Sequence, residues 1–169
     1  MLKATAPLLK FFVLVLATLQ GCYSFTGSSL PAHLKTIAIP VFEDRCGAGI
    51  AQSRGEITGA LVHKIESQSL LRVIPSMARA DALLEGAIIS FSDAPSQLSS
   101  KTERAMTNRV TLVVQVTMVD RVNKIPMFTQ SFVGFSDYRT GDYVAQQEAL
   151  QFCIAQISED IFDRIVSGW

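Results

Sequence analysis

The 169-residue chain has little with which to perform chemistry: two histidines (His33 and His63), three cysteines and one tryptophan. No histidine pair or CxxC spacing marks a zinc site, and no glycine fingerprint between strand and helix marks a phosphate loop. No Ser-His-Asp or Cys-His arrangement is legible either. His63, between Val62 and Lys64, reads as part of a solvated helix face. The expectation is a protein that is not an enzyme, with no catalytic residue, no metal and no cofactor. Charge of one sign is lacking too, since 15 Lys and Arg face 15 Asp and Glu. A nucleic-acid partner, which usually calls for a strongly basic domain, is not expected. There is no internal repeat, and no second apolar run long enough to cross a bilayer.

What is present begins at the N-terminus. Lys3 and Lys10 flank an uncharged apolar stretch, residues 11–19, and Leu19-Gln20-Gly21 leads into Cys22. A basic start, a short apolar run and small residues before a cut describe a signal peptide, residues 1–21. Leu-Gln-Gly-Cys resembles the lipobox of bacterial lipoproteins, which implies that Cys22 is acylated and becomes the N-terminus. Each buried methylene contributes about 0.8 kcal/mol, so one acyl chain holds marginally and two or more hold stably. By resemblance to enterobacterial sorting, Tyr23 in place of Asp implies the periplasmic side of the outer membrane. Cleavage leaves 148 residues, with 13 Lys and Arg against 15 Asp and Glu. That is a normal size for one domain.

Residues 22–33, rich in Ser and Gly, read as a lipidated tether, followed by a single domain over residues 34–169. Residues 35–42 alternate as a strand, with Pro40 near its end indicating an edge or bulge. Residues 43–49 read as a loop. Ser53 and Glu56 have capping-box spacing, and Ile57, Leu61 and Ile65 follow as a helical stripe beside Gly59 and Ala60. Residues 70–74, 82–92, 109–119 and 127–135 read as strands, with a long polar loop over 92–108 and a turn at 120–124. An amphipathic helix over 148–167 carries Leu150, Ile154, Ile157, Ile161 and Ile165. The order β-α-β-β-β-β-α predicts an α+β fold: two helices packed on a small, mainly antiparallel sheet of four to five strands.

Two sets of side chains are candidates for function. Lys101, Arg104 and Arg109 gather around the long loop, while Arg121 and Lys124 sit in the turn at the opposite end of the 109–119 strand. Paired cations of this kind suit the phosphates of lipopolysaccharide. Cys46 and Cys153 remain once Cys22 is acylated, and an oxidising compartment permits a bridge between them. Two unbridged thiols, one on a helix face and one in a loop, are the alternative.

The mature sequence as a whole resembles the LptE family of lipopolysaccharide-assembly lipoproteins. The likeness rests on Gly21-Cys22-Tyr23-Ser24-Phe25, on residues 34–42 (LKTIAIPVF) and 80–86 (ADALLEG), on Arg109-Val110-Thr111-Leu112, and on residues 161–169. A further glycine usual between Cys and Tyr is absent, and Cys46 is unfamiliar at its position. The resemblance implies two helices on a small sheet and no catalysis. It also implies a protein that plugs and helps assemble an LptD-like outer-membrane β-barrel, and that helps transport and insert lipopolysaccharide. A periplasmic adaptor or pilotin-type lipoprotein of a secretion channel is the alternative.

Overall fold

A computed structural model describes residues 30–47, 49, 51–98 and 105–167. Six strands and two helices follow in the order β1 (Thr36–Ala38), β2 (Glu43–Asp44), α1 (Ala51–Gln68), β3 (Arg72–Val73), β4 (Ala82–Leu98), β5 (Ala105–Asp120), β6 (Ile125–Arg139) and α2 (Tyr143–Ser167). The fold is α+β. The sheet runs β3-β1-β4-β5-β6, with β2 also on β4. The long ribbons β4–β5 and β5–β6 are antiparallel, whereas β1 and β2 pair parallel with β4, and β1 with β3. The sheet is therefore mainly antiparallel through its long ribbons, with parallel pairing confined to the short strands β1, β2 and β3.

The alternation in β5 decides which face is buried. Val110, Leu112, Val114, Val116 and Met118 are each 0% exposed, while Thr111, Val113, Gln115 and Thr117 between them are only half-buried. Period-2 side chains point to opposite faces, so one face meets helices and the other does not. The covered face receives Ile57, Leu61 and Ile65 of α1 and Cys153, Ile157 and Ile161 of α2. Each fully buried aliphatic side chain contributes about 1.5–3 kcal/mol relative to exposure. Glycine is required at two close approaches: a Cβ on Gly86 would enter the Phe42 ring, and one on Gly134 would lie 2.7 Å from the Cys153 carbonyl oxygen.

Several local expectations need correction. The 35–42 strand shortens to β1, since Pro40 has no N–H to continue the ladder, and the loop expected over 43–49 opens with β2. Ser53 is no N-cap: α1 already begins at Ala51, Ser53 is buried in its first turn, and Glu56 accepts from Gln52 and Gln151 instead. Gly59, expected beside the apolar stripe, is exposed with nothing packed over it. The loop expected over 92–108 is mostly strand. Asp93, Ala94, Pro95 and Gln97 pair with Val110, Arg109, Asn108 and Thr107, across bulges that accommodate the proline. This stretch looked like a loop because residues 94–97 are exposed, leaving no apolar face to alternate. Finally, α2 starts five residues before Glu148, capped where Asp142 Oδ1 accepts from the Ala145 N–H at 3.0 Å.

Candidate functional site

The face of β4, β5 and β6 opposite the helices is the broadest surface without a covering layer among the described residues. Across its centre, Ser92, Thr111, Val113, Gln115, Ser131 and Val133 share one side by register, and none is charged. The Thr117 and Thr129 hydroxyls meet at 3.1 Å across the ladder. Val133 and Phe135 are 49% and 48% exposed, large apolar side chains left in water at the β6 edge. At this centre, hydroxyls, one amide and a few apolar groups can be desolvated against a partner without stranding a charge, with exposed Glu85, opposite Thr117, lying nearer the turn.

Arg109 lies on this same face, not in a loop. Its guanidinium donates through Nε to Asp137 Oδ1 and through Nη2 to Asp137 Oδ2, both at 2.8 Å, and its plane sits 4.9 Å from the Phe135 ring centre. Hydrogen bonding from Arg109 holds the Asp137 carboxyl below the ordinary carboxylate range. Arg109 is thus tied to a neutralising partner. Arg121 and Lys124 lie in the β5–β6 turn at the other end of the ribbon, where Lys124 takes a left-handed φ of 59° and the Arg121 N–H donates to Asp81 O at 2.8 Å. At about 3.3 Å per residue, Arg109 and Arg121 stand roughly 40 Å apart along the strand. The five cations named from sequence therefore form no single patch. Lys101 and Arg104 fall outside the described residues, as does Cys22.

Sequence reading missed how firmly the chain enters the domain. His33, expected in the tether, has its Nε2 2.7 Å from Asp120 Oδ2 and 3.2 Å from Asn123 Nδ2. Asp81 Oδ2 accepts from the N–H groups of Lys35 and Thr36 and from the Thr36 hydroxyl, at 3.0, 2.9 and 2.8 Å. Those bonds, the Thr36 hydroxyl first, hold the Asp81 carboxyl low; the Asn123 N–H does the same for Asp120. Leu34 is buried between these anchors. No spacing in the sequence signals this clasp, because its partners are 45 and 87 residues apart.

At the far end of the ribbon, the Asp93 carboxylate accepts from the Tyr138 hydroxyl and Gln146 Nε2, both at 2.5 Å, pinning the start of α2 to β4 and β6. The two cysteines are not bridged. Cys153 Sγ faces the Val110 carbonyl under α2, and burial raises its pKa to about 11. Cys46 Sγ donates to Asp44 Oδ1 at 3.1 Å beyond β2. Among the described residues no group of His, Cys, Asp and Glu is placed to hold a metal, and no helix is long and apolar enough to cross a membrane.

The LptE (lipopolysaccharide-assembly) family model matches residues 34–167. Among solved structures, protein XCC0632 from Xanthomonas campestris superposes with a TM-score of 0.60 at 10% identity, over 80% of this chain and 85% of its own. Hypothetical protein CT253 from Chlamydia trachomatis gives 0.53 at 12% identity, over 79% and 94%. PelC from Paraburkholderia phytofirmans, a dodecamer, gives 0.52 at 11% identity, over 83% and 94%. These likenesses establish the shared fold. No curated protein matches the sequence.

Proposed function

The chain belongs to the LptE family of lipopolysaccharide-assembly proteins, and from that premise we propose that it is a non-enzymatic lipoprotein of the outer membrane that docks within an LptD-like β-barrel and assists lipopolysaccharide insertion. The carrying observation is the uncovered face of β4–β6, uncharged at its centre and bearing half-exposed Val133 and Phe135. Porin-type barrels have polar, wet interiors, and interfaces there combine hydroxyl and amide contacts with a few apolar anchors. This face has that composition. The clasp of His33 and Asp81 gives the chain from an acylated Cys22 a fixed point of entry, so the anchor orients the domain as well as retaining it.

In this reading, lipopolysaccharide phosphates are met by Lys101 and Arg104, in the connection between β4 and β5, with Arg109 held nearby by Asp137. Neutralising Lys101 and Arg104 is expected to weaken lipopolysaccharide capture in vitro; unchanged capture removes that connection from the mechanism. The function itself is tested by affinity purification of the tagged full chain from solubilised outer membranes. Recovery of an LptD-like barrel is expected, and recovery of a secretin in its place contradicts the proposal.

A further inference from the structure

At the end where the chain enters the domain there is a groove of about 1150 Å³. Leu30 forms one wall, Leu70 beyond the end of α1 a second, and Phe162 and Val166 of α2 a third. Lys35 and Arg72 also line it, with no carboxylate side chain among the described lining residues. The Arg72 N–H donates to Lys35 O at 2.9 Å, which brings the two residues together at the groove. Among the described residues neither forms a salt bridge.

We propose that this groove takes an acyl chain of a phosphate-bearing phospholipid from the leaflet that holds the anchor, with Lys35 and Arg72 on the phosphate. The proposal rests on the reading of Cys22 as acylated. Leu30 lies eight positions beyond Cys22. An extended chain of that length spans at most about 29 Å, which keeps the groove close to the leaflet surface. The volume exceeds the roughly 300–1,000 Å³ of a drug-sized site, and the walls are apolar, which suits hydrocarbon and not a free phosphate ion. Leu70 at the rim is 96% exposed, an isolated leucine whose burial against lipid is favourable. Two unneutralised cations beside an apolar slot complement an anionic headgroup on an acyl tail.

The test uses the purified full-length lipoprotein anchored in phosphatidylcholine nanodiscs that contain phosphatidylglycerol with an acyl-chain diazirine. Photolabelling is expected to concentrate on peptides covering residues 30–35, 67–72 and 162–167. It should fall several-fold in the Lys35→Gln/Arg72→Gln double variant, whose sites are exposed, and vanish in Val166→Trp, which fills the groove. Labelling spread over the open sheet face overturns the proposal, as does labelling undiminished in the double variant. Displacement of the label by lipopolysaccharide but not by unlabelled phosphatidylglycerol overturns it as well. The mass of the Cys22 peptide from the same sample reads the anchor separately: an acylated peptide without groove labelling sinks the groove alone, and groove labelling without acylation sinks the anchor alone.

Discussion

The two faces of β5 are built from alternate residues of one strand, yet they meet different surroundings. Leu112 and Val114 sit at 0% exposure under the helices, whereas Val113 between them is half-buried on a face that no described element covers. The covered face is closed by the protein's own helices. The open face has the same β-sheet rigidity and a milder polarity, which is what a second molecule requires of a docking surface. Stability and partnership should therefore separate along the strand, residue by residue.

The largest expected effect is on the covered side. Leu112→Ala removes buried volume from beneath the helices, and should destabilise by about 2–5 kcal/mol in urea unfolding. On the open side, Val133→Glu should change unfolding free energy by no more than about 1 kcal/mol, since strand propensities span that range. It should nevertheless sharply reduce recovery of the barrel in affinity purification. If both substitutions changed stability equally, the distinction between the faces would fail.

The entry clasp gives a smaller, pH-dependent effect. The Asp81 carboxyl is lowered in the folded state, so its contribution is complete above the unfolded pKa of about 3.9 and is lost as pH falls through the folded value below it. Asp81→Asn should lower stability at pH 7 and flatten the acid limb of the stability–pH curve below about pH 4. An unchanged acid limb would show that the clasp is not formed in solution. The smallest effect belongs to α1, where Gly59 is exposed and has open space at its Cβ position. Gly59→Ala should stabilise by about 1 kcal/mol through helix propensity alone, read as a rise in melting temperature without change in barrel recovery.

The comparison also explains which parts of the molecule were legible. Alternation of Val110, Leu112, Val114, Val116 and Met118 identified β5 because one side had to be buried. The tip of β4 was hidden because residues 94–97 are exposed on both sides, so strand and loop carry the same polar signature. The first turn of α2 was missed for a related reason: Tyr143 and Val144 are 72% and 67% exposed, outside the apolar stripe. Parallel pairing of two- and three-residue strands leaves no periodicity to read, since each is shorter than one alternation can establish. Arg109 was recognised as a candidate, but its neutralisation by Asp137 joins residues 28 apart and belongs to the ladder, not to local sequence. The groove was invisible in the sequence because three separate segments make it.

The central claim is that the helix-free face meets the barrel, and in-cell photocrosslinking reads it directly. A benzophenone side chain is placed at Val133 on the open face and, in a second strain, at His63 on the exposed side of α1. A crosslinked species of barrel size from position 133, with little or none from position 63, is the predicted result. Barrel crosslinks from position 63 with none from position 133 would contradict the account.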